Sequence, residues 1–163
     1  MTDQLPRGTA RLLVRELSGE PPVAKDYIDW AVSLLGSGLD SQTLRVLAGL
    51  DLGDCPSGFE AAAKFRDAYK ELRLPSPGRE ELLRVYVREV ASEIAVGARE
   101  PADAVDLIHR EVLSPFNHPA EFSSWCYLWE GLNPVGFADL EGEALTSAIR
   151  DTARQWVAST GCS

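Results

Sequence analysis

The chain has 163 residues and a formal net charge of −9, and 45% of its residues are hydrophobic and 25% are charged. These proportions are typical of an ordinary globular protein and exclude a disordered or fibrous chain. The negative charge also argues against nucleic-acid binding, because proteins that bind phosphate backbones carry clustered Lys and Arg.

Acidic side chains are concentrated in the second half of the sequence. Residues 1–88 contain 13 acidic and 12 basic side chains, a net charge of −1, whereas residues 89–163 contain 12 acidic and 4 basic ones, a net charge of −8. An acidic surface attracts basic partners through long-range electrostatic steering. We therefore expect a basic protein as partner, with neither nucleic acid nor a membrane involved.

The cellular compartment is predicted from the N-terminal residues and the cysteines. The first residues lack the basic start and apolar stretch of a signal peptide, and no apolar run approaches the roughly 20 residues that cross a bilayer. Cys55, Cys126 and Cys162 are widely spaced and contain no C-x-x-C pair. This pattern favours reduced thiols in a cytoplasmic protein, and it predicts no disulfide, structural metal or cofactor.

Gly and Pro interrupt the chain at short intervals, and between them the apolar residues recur at helical spacing. No segment has the period-two alternation of a half-buried strand. The sequence predicts an all-α protein of about eight helices in a single domain over residues 1–163, arranged as a bundle or a short solenoid-like stack. The helices are expected at about 9–18, 21–36, 41–49, 57–72, 77–96, 101–112, 119–131 and 140–159.

Individual helix ends carry recognisable signals. Thr9 is predicted to cap the first helix with its hydroxyl. Ser57 is predicted to cap the helix expected at about 57–72, in a capping-box pattern with Glu60. Pro101 and Pro119 are each expected at the first position of a helix, where the missing N–H of proline has no cost.

Two histidines are the most suggestive chemical groups. His109 and His118 are nine residues apart, and Asp106 precedes His109 by three residues on the same predicted helix, so both could face a metal ion. Glu121 and Cys126 lie close to His118 in sequence. The chain contains no H-E-x-x-H, P-loop, dinucleotide fingerprint or nucleophile elbow, and we assign no catalytic residue and no metal ligand.

An aromatic cluster in the acidic half has two interpretations. Trp125 and Trp129 are four residues apart on one predicted helix, which suits either packing in the core or anchoring of a partner inside an acidic rim. The second interpretation predicts a partner-binding surface made of Trp125, Trp129, Glu121, Glu130, Asp139, Glu141 and Glu143.

The segment 93–109, EIAVGAREPADAVDLIH, has a distinctive punctuation. A helix ends in Ile-x-x-Gly, Pro101 opens the next helix, and His109 follows near the end of that helix. This pattern resembles small, acidic, all-helical bacterial proteins of uncharacterised type, some of which are similar to immunity proteins of toxin systems. The resemblance covers only this segment, and it implies a protein-binding function without assigning any site residue.

Three functional hypotheses follow from these observations. The first is a non-enzymatic protein-binding domain, an immunity- or antitoxin-like inhibitor of a basic partner. The second is a helical regulatory or scaffold module that self-associates. The third is a metal-dependent enzyme that uses His109 and His118.

Overall fold

The computed structural model describes residues 5–50, 57–133 and 141–159, and the regular structure in these ranges is entirely helical. The predicted all-α class is confirmed. The eight α-helices of the described ranges are α1 (Thr9–Ser18), α2 (Ala24–Gly36), α3 (Gln42–Ala48), α4 (Gly58–Glu71), α5 (Arg79–Ala95), α6 (Pro101–Ile108), α7 (Ser123–Leu132) and α8 (Gly142–Ala158). None of them is long and apolar enough to cross a membrane.

The chain divides into two compact units, Met1–Arg79 and Glu80–Ser163. The first unit contains α1 to α4, and α2, α3 and α4 all pack against one another. In the second unit α6, α7 and α8 pack together in the same way. A single domain over residues 1–163 stays a prediction.

Phe65 on α4 lies at the centre of an aromatic cluster in the first unit. Its ring centroid is 4.7 Å from that of Trp30, 5.2 Å from that of Tyr27 and 5.9 Å from that of Tyr69. The Phe65 side chain is 1% exposed. These edge-to-face and tilted contacts join α2 to α4 and supply much of the apolar burial in this unit.

The predicted cap at Thr9 is wrong. Gly8, with φ of 81°, is the N-cap residue of α1, and Thr9 is the first residue of the helix. The buried Thr9 hydroxyl instead accepts a hydrogen bond of 2.9 Å from Trp30 Nε1. The hydroxyl is used for this contact because a buried indole N–H needs an acceptor.

The other predicted helix starts have mixed outcomes. The Ser57 hydroxyl accepts from the backbone N–H of Glu60 at 3.1 Å, as the capping pattern predicts. Pro101 is the first residue of α6, also as predicted. Pro119 does not open an α-helix directly, because a 3₁₀ turn, Ala120–Phe122, comes between it and α7.

The core of the second unit combines α5 with the helices that follow it in sequence. Seven side chains of α5 are buried, and among them Tyr86 donates its hydroxyl proton to the buried carboxylate of Glu111. Phe122 and Trp125 pack against Trp156 of α8, with centroid distances of 5.4 Å and 6.4 Å. Aromatic burial therefore holds α7 against α8.

Between α6 and α7 the chain departs from regular α-helix. Residues His109–Leu113 form a π-helical turn, in which the N–H of Ser114 donates to the carbonyl of His109 at 2.9 Å. The corner that follows places Asn117 and His118 in the left-handed region, with φ of 59° and 49°. A π-helical turn and adjacent left-handed residues occur often at functional sites.

Candidate functional site

The π-helical turn, the left-handed corner and α7 bring polar and aromatic side chains together in the second unit. We call this group the Trp129 surface. It consists of Asp106, His109, His118, Cys126, Trp129 and Glu130.

Trp129 is held in place by contacts to the end of α6. Its ring stacks on the imidazole of His109, with centroids 3.6 Å apart and planes 5° from parallel. Its indole Nε1 donates to Asp106 Oδ1 at 3.3 Å. Trp129 is half-buried, so a large amphipathic side chain lies at the surface in a fixed orientation.

The thiol of Cys126 lies between two polar groups. Its Sγ is 3.9 Å from His118 Nδ1 and 3.8 Å from Glu130 Oε1. Burial raises the pKa of the Cys126 thiol, and the charge of Glu130 raises it further. The thiol therefore stays protonated near neutral pH, which is unfavourable for a nucleophile or a metal-bound thiolate.

The pKa of His109 is lower than the ordinary value for histidine. Burial lowers the pKa of His109 from its ordinary value of 6.5, the neighbouring His118 lowers it further, and Asp106 opposes both effects. The two imidazole centroids are 5.7 Å apart. At neutral pH the ring stacked on Trp129 is therefore an uncharged imidazole.

This depressed pKa predicts a loss of stability on acidification. The unfolded chain binds a proton at His109 more readily than the folded chain does. The free energy of unfolding therefore decreases as the pH falls below about 6.5, and it levels off below the pKa that His109 has in the folded protein. We expect His109→Gln to remove this part of the pH dependence. Urea unfolding between about pH 8 and about pH 5.5 measures it.

A second variant separates the two causes of the shift. His118→Gln removes the neighbouring charge, so the pKa of His109 should rise part of the way toward 6.5, as read from its imidazole proton resonances. The assignment of the shift to burial and His118 is wrong if the His109 midpoint lies above 6.5 in the parent protein.

The predicted partner-binding residues occupy different environments. Trp125 is 0% exposed and belongs to the core, so its predicted role as an exposed anchor is corrected, because α8 covers that side of α7. Trp129 and Glu130 belong to the Trp129 surface. Glu121 accepts a hydrogen bond of 2.6 Å from Arg84. The remaining predicted residues are Glu141 and Glu143, exposed at the start of α8, and Asp139, outside the described residues.

The residues of the metal-dependent-enzyme hypothesis do not form a ligand set among the described residues. Within residues 5–50, 57–133 and 141–159, no group of three or more His, Cys, Asp or Glu is placed to hold a metal ion. His109 and His118 are neighbours, but Asp106 is bonded to Trp129 and Glu121 to Arg84. Cys55 and Cys162 are outside the described residues.

The structure adds an acidic stripe that the sequence analysis did not identify. Asp103 and Asp106 are three residues apart on α6 and share a helix face, Glu100 is the N-cap residue of the same helix, and all three are exposed. We call these residues the α6 stripe. None of them forms an ion pair with a basic side chain of the described ranges. Their i, i+3 spacing was the signal that could have revealed them.

Most arginines of the second unit are already paired with other carboxylates. Each of these paired arginines has a side-chain nitrogen within 4 Å of a carboxylate oxygen outside the α6 stripe. None of them therefore supplies a cation to the α6 stripe. The pairs are Arg84 with Glu80 and Glu121, Arg99 with Glu93, Arg110 with Glu111, and Arg154 with Asp151.

Comparison of the chain with known protein families, curated proteins and solved structures finds no match. The resemblance of residues 93–109 to toxin-immunity proteins therefore stays a prediction. Function is inferred from the chemistry of the Trp129 surface and the α6 stripe.

Proposed function

We propose that the protein is a non-enzymatic binding protein that covers a basic protein partner, in the manner of an immunity- or antitoxin-type inhibitor. One observation carries the proposal: Trp129, fixed at the surface by His109 and Asp106, adjoins a stripe of exposed carboxylates that lack cationic partners.

The α6 stripe favours a cationic partner on electrostatic grounds. Asp106 contacts Trp129 directly, Asp103 precedes it by three residues on the same face of α6, and Glu100 is the N-cap residue of that helix. Like charges three residues apart on a helix repel each other by a few tenths of a kcal/mol. Lys and Arg side chains of a partner would relieve this repulsion and would also accelerate association through charge steering.

Trp129 supplies an aromatic anchor, which a surface of charged side chains alone lacks. Binding energy in protein interfaces concentrates in a few aromatic or arginine side chains near the centre of the contact. Trp129 is held on two sides before any partner arrives, so little conformational entropy is lost when it is covered. The protonated Cys126 thiol and the neutral His109 fit this binding role better than a nucleophilic one.

The test begins with affinity capture, at low and high salt, from cells that express the protein naturally. The dissociation constant is then measured on the purified pair. We expect one basic protein at a stoichiometric level, bound more weakly at high salt. Neutralising the stripe with Glu100→Gln/Asp103→Asn should weaken binding about tenfold. Trp129→Ala should weaken it by about the same factor or more.

A matched control separates the stripe from net charge. Glu60→Gln/Asp67→Asn removes the same two residue types from exposed positions of α4, and Glu60 lies in a first helical turn as Asp103 does. This control should change the affinity less than about twofold. Equal weakening by both pairs would contradict the proposed surface. A salt-resistant dimer with no other partner, measured by light scattering, would favour the self-associating module.

A further inference from the structure

We infer that the buried hydrogen bond between Tyr86 and Glu111 positions the Trp129 surface by setting the register of the π-helical turn. Tyr86 lies on α5 and is 1% exposed, and it donates its hydroxyl proton to the carboxylate of Glu111. Glu111 is the central residue of the turn and is 6% exposed. The consequence for partner binding rests on the proposed function, because the Trp129 surface is the proposed contact.

The π-helical turn requires contacts that fix its register. Within it the N–H of Ser114 donates to the carbonyl of His109, five residues earlier, whereas an α-helix would use the N–H of Leu113. Relaxation to an α-helix would shift the chain that follows by one residue, which is about 100° around the helix axis. Such an unusual backbone persists only where the surrounding structure favours it over the regular helix.

The side chains of the turn differ in how strictly they specify this register. Three consecutive ones, Glu111, Val112 and Leu113, are buried. Val112 and Leu113 are apolar, and an apolar side chain can exchange one apolar neighbour for another at modest cost. A buried carboxylate instead needs a donor at a defined position. Tyr86 is such a donor, and a shift of one residue would take the Glu111 carboxylate away from it.

Both imidazoles of the Trp129 surface depend on the backbone of this turn. His109 is its first residue, and the imidazole stacks on Trp129 with ring centroids 3.6 Å apart. The backbone N–H of His118 donates at 2.8 Å to the carbonyl of Leu113, the last residue of the turn. A change of register at Glu111 would therefore move both imidazoles relative to α7.

Proton NMR of the two histidines, at about pH 8 where both imidazoles are neutral, tests the inference without a partner. The ring current of Trp129 should displace the His109 resonances upfield in the parent protein, and His118→Gln assigns them. Tyr86→Phe removes only a hydroxyl, and we expect it to move the His109 resonances most of the way to those of a solvent-exposed histidine. Glu111→Leu should do the same. Glu111→Gln should keep the parent positions, because the amide oxygen still accepts from Tyr86.

Tyr27→Phe is the matched control. Tyr27 is 0% exposed and donates its hydroxyl to Glu16 Oε1 at 2.7 Å in the first unit, so the variant removes the same kind of bond at a distant place in the sequence. It should lower Tm about as much as Tyr86→Phe and leave the His109 resonances in place. Unmoved His109 resonances in Tyr86→Phe, or an equal displacement in Tyr27→Phe, would overturn the inference. Tyr86→Phe decides the matter even if the Glu111 variants do not fold.

The affinity for the captured partner distinguishes this inference from the proposed function. Tyr86→Phe should weaken binding on the order of tenfold, although Tyr86 is buried and does not reach a partner. Displaced His109 resonances with unchanged affinity would support the positioning role and contradict the binding role of the Trp129 surface. Unmoved resonances would contradict the positioning role whatever the affinity.

Discussion

Phe65→Ala is expected to lower the free energy of unfolding by about 3–5 kcal/mol. The substitution removes a ring that is 1% exposed and opens a cavity between α2 and α4. It also removes aromatic contacts to Tyr27, Trp30 and Tyr69. Each such contact stabilises the fold by about 0.5–1.5 kcal/mol beyond the contribution of the buried apolar area. Urea unfolding followed by circular dichroism measures the change.

Phe59→Ala is the matched control for this prediction. Phe59 lies on the same helix and is 83% exposed. Its removal should alter stability by no more than about 0.5 kcal/mol, because its ring is exposed and the cap at Ser57 uses the backbone N–H of Glu60, which the substitution keeps. If the two substitutions cost the same, the rings around Phe65 do not form the core of the first unit.

Trp125→Ala is expected to destabilise the protein to a similar extent, by about 3–5 kcal/mol, and to lower Tm by on the order of 10 °C. Trp125 is 0% exposed and packs against Trp156 of α8. Its indole Nε1 is buried and has no hydrogen-bond partner among the residues that the structure describes. Trp125→Phe should therefore cost clearly less than Trp125→Ala, since it keeps much of the volume and removes an unsatisfied donor. Thermal unfolding measures both variants.

Trp129→Ala serves as the control on the same helix, and as a half-buried residue it should cost less than Trp125→Ala. The assignment of Trp125 to the core would be contradicted if the order were reversed. Phe65 and Trp125 belong to different units of the chain. If each variant still unfolds in one cooperative transition across all probes, the predicted single domain over residues 1–163 is supported.

The helices were predictable from the sequence because their ends depend on local chemistry. Gly19 follows the last residue of α1 in the left-handed conformation, with φ of 86°, and the hydroxyls of Ser41 and Ser57 accept from the first turns of α3 and α4. Pro101 opens α6 for the same kind of local reason. These signals act over three or four residues and need no knowledge of what packs nearby.

Features that depend on tertiary contacts were not predictable in this way. Thr9 bonds Trp30, which is 21 residues away, rather than its own helix end. Trp125 and Trp129 are equivalent by helical spacing, and only the packing of Trp156 against Trp125 determines which of them is buried. Local periodicity identifies a helix but not the neighbour that covers each of its faces.

The candidate site was predictable only in part. The spacing of Asp106 and His109 placed both near one face of a helix, and the structure brings both to Trp129. The approach of His118 to His109 and Cys126 depends on the left-handed corner at Asn117 and His118, which no short sequence signal encodes. The pairing of Glu121 with Arg84, 37 residues away, was likewise not predictable from the sequence.

The same corner also bears on how the protein could be re-engineered. Asn117 and His118 each occupy a backbone region that costs an L-residue about 1–2 kcal/mol and costs glycine almost nothing. A chain selected only for thermal robustness would place glycine at both positions. Glycine at position 118 would remove the imidazole that lies beside His109 and Cys126. At this corner, a substitution that stabilises the backbone also removes a side chain of the Trp129 surface.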